Sequence, residues 1–314
     1  MSKIVTVLGA SGNIGKILIP YLASKGYTVK AVGRNKPNFN DPNIINLVVN
    51  YDDQNQLTEA CKDSQAVYML IGLEYKATIW QDQWPALTSR IIQACKETKS
   101  KLIFFDNVYS YGLIEGKMTE NSELNPETKK GKVRKEMVEM LLKSINSGEI
   151  NGVIAKSADF YGPGITTSVI GDRFFDLIIN KNTVEIFGNP QKIHNYTFIN
   201  DIPEALEKLA NSDFNGNIHL PTANAWTGNQ YKELLEKLTG KNLKLTNLSQ
   251  NMAWWIGIFM PVLRELHEMM YQSENDYNFD SSKIMSMFPD LKVTPYEQGF
   301  QETLAWYKEK LAKK

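Results

Sequence analysis

Gly9-Ala10-Ser11-Gly12-Asn13-Ile14-Gly15 constrains what this chain can fold into more than any other stretch. Before it runs Ile4-Val5-Thr6-Val7-Leu8, apolar, rich in β-branched residues and free of charge, as a strand buried on both faces of a parallel sheet must be. After it, Lys16-Ile17-Leu18-Ile19-Pro20-Tyr21-Leu22 carries apolar residues at helical spacing. Strand, glycine turn and helix start, in that order, make the opening βα unit of a dinucleotide-binding fold. The glycines allow a sharp turn, a close approach of backbone to a pyrophosphate and tight packing of helix on strand. The free N–H groups and dipole of the helix N-terminus then hold the phosphate charge. Gly9, Ser11, Gly12, Asn13, Ile14 and Gly15 are therefore the expected cofactor contacts.

The alternation continues. Residues 28–32, 45–49, 66–72 and 101–105 read as further strands, with helical patterns at 57–61 and 84–96 between them. Residues 152–155 and 217–220 read as two later strands, the second returning after a helix at 202–209. Unbroken strand–helix–strand order predicts an α/β fold with a doubly wound parallel sheet. The second strand ends in Gly33-Arg34-Asn35-Lys36, and no Asp or Glu occurs between Gly15 and Asp41. An acidic side chain there would hold the ribose hydroxyls of NAD, whereas a guanidinium suits a 2′-phosphate through its charge and forked donors. Arg34 thus points to NADP(H) in preference to NAD(H). The third strand ends in Asn50-Tyr51-Asp52-Asp53, whose carboxylates read plainly as caps of the next helix. Gly72, closing the fourth strand, is expected along the cofactor.

With 35 basic and 35 acidic residues the formal charge is zero, which argues against a nucleic-acid partner, since neutralising phosphates needs a basic face. The only cysteines, Cys61 and Cys95, fit neither a disulfide framework nor a zinc site and read as buried thiols. The three histidines, His194, His219 and His267, show no ligand spacing, so no metal is expected. The first residues run straight into a strand, which reads as no signal peptide, and the longest apolar run, residues 252–263, is short for a bilayer and holds a proline. A soluble cytoplasmic protein with a small-molecule substrate and no membrane contact is the expectation. The run Lys129-Lys130-Gly131-Lys132-Val133-Arg134-Lys135 reads mostly as a solvated helix start.

The G-x-x-G-x-x-G form of the turn resembles the extended short-chain dehydrogenase/reductase superfamily, the NAD(P)-dependent epimerase/dehydratase family. Later stretches carry the same resemblance in the same order. Asn107-Val108-Tyr109-Ser110-Tyr111-Gly112 is similar to the family's S-S-x-x-V-Y-G, and Ser157-Ala158-Asp159-Phe160-Tyr161-Gly162-Pro163 to its R-x-x-N-V-Y-G-P. His194-Asn195-Tyr196-Thr197-Phe198-Ile199-Asn200-Asp201 is similar to R-D-F-V-x-V-x-D. The resemblance implies a Rossmann domain over residues 1–163, with 194–222 returning to it. It implies a smaller, mostly helical substrate cap from 164–193 and 223–314.

The resemblance implies that Asp52, at the end of the third strand, contacts the adenine amino group of the cofactor, as the alternative to a helix cap. It also implies a chemistry. A tyrosine exchanges a proton with the substrate oxygen while hydride moves to or from the nicotinamide. A lysine four residues later lowers the phenol pKa and holds the ribose, and a Ser or Thr polarises the carbonyl. Matched to this Y-x-x-x-K pattern, Lys135 takes the lysine position with Glu139 four residues on, Gly131 stands where the tyrosine belongs, and Asn107 takes the Ser/Thr position. Gly131 has no proton to give. Tyr109, Tyr111 and Tyr161 are candidate replacements, each with a core aromatic as the plain alternative. Asp106 and Asp159 are candidate acids, or simply loop and cap carboxylates. His194 replaces the arginine that holds a phosphate in nucleotide-sugar enzymes, and so reads either as a weaker substrate contact, beside Tyr161, or as a hydrogen-bonded strand histidine. Arg173 and Arg264 are further anion candidates. The aromatic and Met-rich residues 252–271 suggest an apolar lid or a homodimer face. These features favour an NADP(H)-dependent oxidoreductase acting on a small carbonyl or hydroxyl compound. The alternatives are a catalytically silent NADP(H)-binding regulator and a nucleotide-sugar epimerase/dehydratase with a relocated proton donor.

Overall fold

Seven parallel strands form the main sheet: β1 (Lys3–Leu8), β2 (Tyr27–Gly33), β3 (Ile44–Val48), β4 (Ala66–Met69), β5 (Lys101–Asp106), β6 (Gly152–Lys156) and β7 (Gly216–His219). Their order is β7-β6-β5-β4-β1-β2-β3. This is a computed structural model, and it describes residues 3–165, 168–258 and 260–313. The order reverses between β1 and β4, both hydrogen-bonded to each other along Val5–Leu8 and Ala66–Met69. Such a switch point opens a crevice at the carboxyl ends of the strands. β1 can occupy the centre because Val5, Val7 and Leu8 are fully buried, and its buried polar residue, Thr6, is satisfied by Ala60 O and Ser64 Oγ, each at 2.8 Å.

The crossovers are α1 (Asn13–Ser24), α2 (Gln54–Cys61), α3 (Ala77–Thr98), α4 (Lys129–Asn146) and α5 (Ile202–Ala210). α1 packs with α5, and α2, α3 and α4 pack in series, so helices cover both faces of the sheet. α3 begins well before the expected residue 84. Ala77, Trp80, Trp84, Leu87, Ile91 and Cys95 keep helical spacing and are all buried, and that burial overrides Pro85 inside the helix.

The chain divides into two compact units. The first, residues 1–110, 129–156 and 202–219, carries the sheet and these helices. The second holds residues 111–128, 157–201 and 220–314. The division differs from the sequence expectation in that 111–128, 157–163 and 194–201 lie in the second unit. There Asp159–Tyr161 pairs with Tyr196–Phe198, and Thr183–Phe187 with Lys244–Leu248, rather than extending the main sheet. Helices at Asp172–Lys181, Gly228–Thr239, Gln250–Gly257 and Tyr296–Ala312 make this unit largely helical. Its core is aromatic: Tyr161, Phe175, Phe198, Tyr231, Phe300 and Tyr307 pack together. Trp254 and Trp255 stand exposed on the Gln250–Gly257 helix; Phe259, in the same apolar stretch, lies outside the described residues. Among the described residues no helix is long and apolar enough to cross a membrane, and no three His, Cys, Asp or Glu residues group as metal ligands. Cys61 and Cys95 are buried free thiols.

Candidate active site

The glycine turn sits at the switch point and is shaped by steric necessity. Gly9 has φ +91°, and a Cβ there would lie 2.7 Å from the carbonyl carbon and oxygen of Leu70, just past β4. A Cβ on Gly15 would lie 2.6 Å from Ala10 O, so that glycine lets α1 pack against the turn. Ser11 and Gly12 are exposed, and no side chain caps α1 at Gly12. The exposed turn and the uncapped helix end form the bare cradle that a pyrophosphate requires. Beneath it lies a residue that sequence reasoning did not single out. The Tyr51 hydroxyl accepts a hydrogen bond from Gly9 N–H at 3.2 Å and donates one to Val32 O, also at 3.2 Å. Burial pushes its pKa up to about 12, while the Gly9 bond and the charge of Arg34 pull the other way.

Around this cradle the expected contacts are unequal. Arg34 is exposed directly after β2, and Gly72 is exposed with open space where a Cβ would be. Asp52 is spoken for: the guanidinium of Arg90 sits 2.6 Å from its Oδ1 and also donates from Nε to Tyr51 O. Asp53, not Asp52, caps α2, accepting from the backbone N–H groups of Asn55 and Gln56.

The ends of β5 and β6 in the first unit converge, with α4, on a buried polar cluster. Lys156 Nζ donates to Asp106 Oδ2 at 2.6 Å, to Ser110 Oγ at 2.9 Å and to Asn107 O at 3.1 Å. Arg134 Nη1 reaches Asp106 Oδ1 at 3.3 Å. The Arg134 guanidinium lies over the rings of Trp80, at 4.7 Å, and Trp84, at 4.5 Å. Burial pulls the pKa of both cations down, and Asp106 opposes that shift in each. Asp106 is therefore a structural counter-ion, closed to solvent, rather than an available acid.

Two half-buried phenols stand beside this cluster. Tyr75, between β4 and α3, and Tyr109, just after β5, bring their oxygens to 3.3 Å. Asn107 Oδ1 accepts from the Tyr109 N–H at 3.0 Å, so the asparagine shapes the loop that carries the phenol. Lys130 Nζ lies 4.6 Å from the centroid of the Tyr75 ring, and the phenols of Tyr109 and Tyr75 both act electrostatically on Arg134.

The phase of α4 decides which of its cations are buried. Lys130, Arg134, Val138 and Leu141 face inward, whereas Lys135 is half exposed and pairs only with Glu139, at 3.8 Å. Lys130 and Arg134 thus form a buried i, i+4 pair one residue before Gly131, itself buried, and Lys135. The basic run is accordingly not all solvated. That spacing was open to reading in the sequence, but the charges of these two residues argued for the surface.

Three expected site residues prove to be core or framework. Tyr111 is fully buried, its carbonyl accepting from Asn125 N–H, so its phenol is closed to substrate. Tyr161 is fully buried too: its ring stacks on Phe300 at 4.7 Å, and its hydroxyl has no hydrogen-bond partner. His194 Nε2 lies 3.0 Å from Asp159 Oδ2, and the ring stacks on Tyr277 at 4.2 Å, the arrangement of a hydrogen-bonded strand histidine. Arg173 forms a two-pronged ion pair with Glu185, at 2.8 and 2.9 Å, and Arg264 is exposed.

Comparison with known proteins agrees with this architecture. A dTDP-D-glucose 4,6-dehydratase of Dictyostelium discoideum is 23% identical over 247 residues, 68% of this chain and 57% of that protein, so the match spans little more than half of the relative's length. A UDP-N-acetyl-alpha-D-glucosaminuronate decarboxylase of Bacillus cytotoxicus is 21% identical over 98% of this chain and 99% of its own. The solved structure of MoeE5 in complex with UDP-glucose and NAD superposes with a TM-score of 0.77 at 20% identity, covering 98% of this chain and 99% of that one. The family model of the NAD dependent epimerase/dehydratase family matches residues 5–219, well over half of the sequence. With the glycine cradle at the switch point of its seven-stranded parallel sheet, this chain belongs to the NAD dependent epimerase/dehydratase family.

Proposed function

We propose that this chain carries out nicotinamide-dependent oxidoreduction at a carbon of a nucleotide-linked sugar, as an epimerase or dehydratase does, with Tyr109 as its proton-transfer group. The observation that carries the reading is the half-exposed Tyr109 phenol at the carboxyl end of β5, within the electrostatic reach of the buried Arg134 guanidinium. Supporting the substrate class, the relatives reported above are named for dTDP- and UDP-linked sugars. They favour this alternative over a small apolar carbonyl compound.

The cofactor is held by the Gly9–Gly15 turn and the N-terminus of α1, with Tyr51 bracing the turn from below. Arg34 and Lys36, exposed after β2, take up a 2′-phosphate and favour NADP(H) over NAD(H). A nicotinamide held there would supply the hydride acceptor and donor. Tyr109 accepts the proton of the sugar hydroxyl as the carbonyl forms and returns it in the reverse direction. Asn107 orders the Tyr109 loop, and Arg134 favours the phenolate that the first of these steps requires.

The test is tryptophan-quenching titration with NADPH and NADH, followed by incubation of the loaded protein with UDP- and dTDP-hexoses and analysis for keto-sugar or epimer. Tighter NADPH binding that reverts to parity in Arg34→Gln, with turnover lost in Tyr109→Phe, supports the proposal. Preference for NADH would overturn the Arg34 assignment. Full turnover in Tyr109→Phe would overturn the assignment of the proton donor.

A further inference from the structure

We infer that Tyr75 is the positioning partner of Tyr109: the two phenols share one proton across their oxygen–oxygen contact, under the charge of Arg134. This rests on the role proposed above for Tyr109.

The geometry holds both rings on one indole. Trp80 stacks on Tyr109, with centroids 6.3 Å apart and planes at 22°, and meets Tyr75 edge-on at 5.5 Å. The same indole donates from Nε1 to Glu74 O at 2.9 Å, fixing the loop that carries Tyr75. On the other side Asn107 fixes the loop of Tyr109. Two phenols 3.3 Å apart cannot titrate independently. When Tyr109 loses its proton, to a substrate oxygen or to water, the phenolate accepts a charge-assisted hydrogen bond from the Tyr75 hydroxyl, which keeps its own proton. The first ionisation is eased and the second is hindered.

The charges facing the pair act in the same direction. From α4 come Arg134, whose pKa both phenols influence, and Lys130, whose Nζ stands 4.6 Å from the Tyr75 ring centroid. From β5 comes Asp106, whose two oxygens are taken by Arg134 and Lys156, the latter from β6. α3 offers Trp80 and Trp84, which carry no charge. Glu74 and Lys76, flanking Tyr75, are exposed and screened by solvent.

The experiment is a tyrosinate-absorbance titration of the full chain in wild-type, Tyr109→Phe, Tyr75→Phe, Arg134→Gln and Arg134→Lys forms, each checked for a native melt. Burial pushes Tyr51, Tyr161, Tyr231 and Tyr296 upward, so a tyrosine ionising early stands apart from them. Wild type is expected to show one such step, below the ordinary tyrosine value. The step moves up in Tyr75→Phe and Arg134→Gln, is retained in Arg134→Lys, and disappears from its place in Tyr109→Phe. If Arg134→Gln does not fold, the two phenylalanine variants still decide the matter, because each removes a single hydroxyl. A wild-type titration without an early step, or an early step unchanged in both phenylalanine variants, overturns the inference. A protein that binds cofactor and shows the step, yet turns over no nucleotide sugar, would instead count against the proposed reaction and leave the pair standing.

Discussion

Lys156 Nζ lies 2.6 Å from Asp106 Oδ2, and both side chains are closed to solvent at the ends of adjacent strands β6 and β5. The carboxylate also balances Arg134, so one anion holds two buried cations together. Removing it leaves both without their counter-charge. Asp106→Asn is expected to lose roughly 3–5 kcal/mol of stability, the usual cost of breaking a buried pair from one side. Urea unfolding of the two proteins measures it, and a loss below about 1 kcal/mol would contradict the counter-ion role.

The Tyr51 hydroxyl supplies a pH dependence with a definite sign. Its pKa is raised above the ordinary tyrosine value to about 12 in the folded chain, mainly by burial. The folded state therefore binds the proton more tightly than the unfolded state. The associated stability is fully present below pH of about 10, the unfolded value, and is lost as pH rises through the folded value. Tyr51→Phe should flatten this decline relative to wild type. Melting temperatures of the two proteins across that alkaline window test it.

Gly9→Ala places a methyl group 2.7 Å from the Leu70 carbonyl at a φ of +91°. Relief requires the turn to move away from β4 or the backbone to leave its angle. A loss of about 1–3 kcal/mol is expected, together with loss of dinucleotide binding. Thermal melts and the quenching titration measure the two effects. Unchanged cofactor affinity would show that the turn does not need this conformation.

Lys135→Ala separates the expected site lysine from the buried cation one position before it, Arg134. Lys135 is half exposed and meets only Glu139, at 3.8 Å, so its removal should change stability by no more than about 0.5 kcal/mol and leave cofactor affinity unaltered. Arg134→Met, by contrast, removes a buried charge that pairs with Asp106 and stacks on two indoles. It should destabilise by several-fold more. Equal effects of the two substitutions in a paired unfolding experiment would restore Lys135 to the site.

Local pattern alone determined the framework. An uncharged β-branched run, a glycine turn and an amphipathic helix act over a few residues each, so the first βα unit, the parallel sheet and the glycine cradle were legible from periodicity and backbone sterics. The identity of Arg34 after β2 was equally legible, because strand ends are marked by their own residues. The proposed proton-transfer site was not. Whether Lys130 or Lys135 faces inward depends on the phase of α4 against α3, which a sequence count does not carry. Tyr75 and Tyr109 are 34 residues apart and meet only because β4 and β5 are neighbours in the sheet. Tyr111 and Tyr161, equally suitable by residue type, are sealed in an aromatic or framework environment by contacts that come from distant segments. Backbone propensity is a property of neighbours in sequence and can be read there. The burial of a phenol or a cation is set by side chains from several elements at once, and only the assembled tertiary structure decides it.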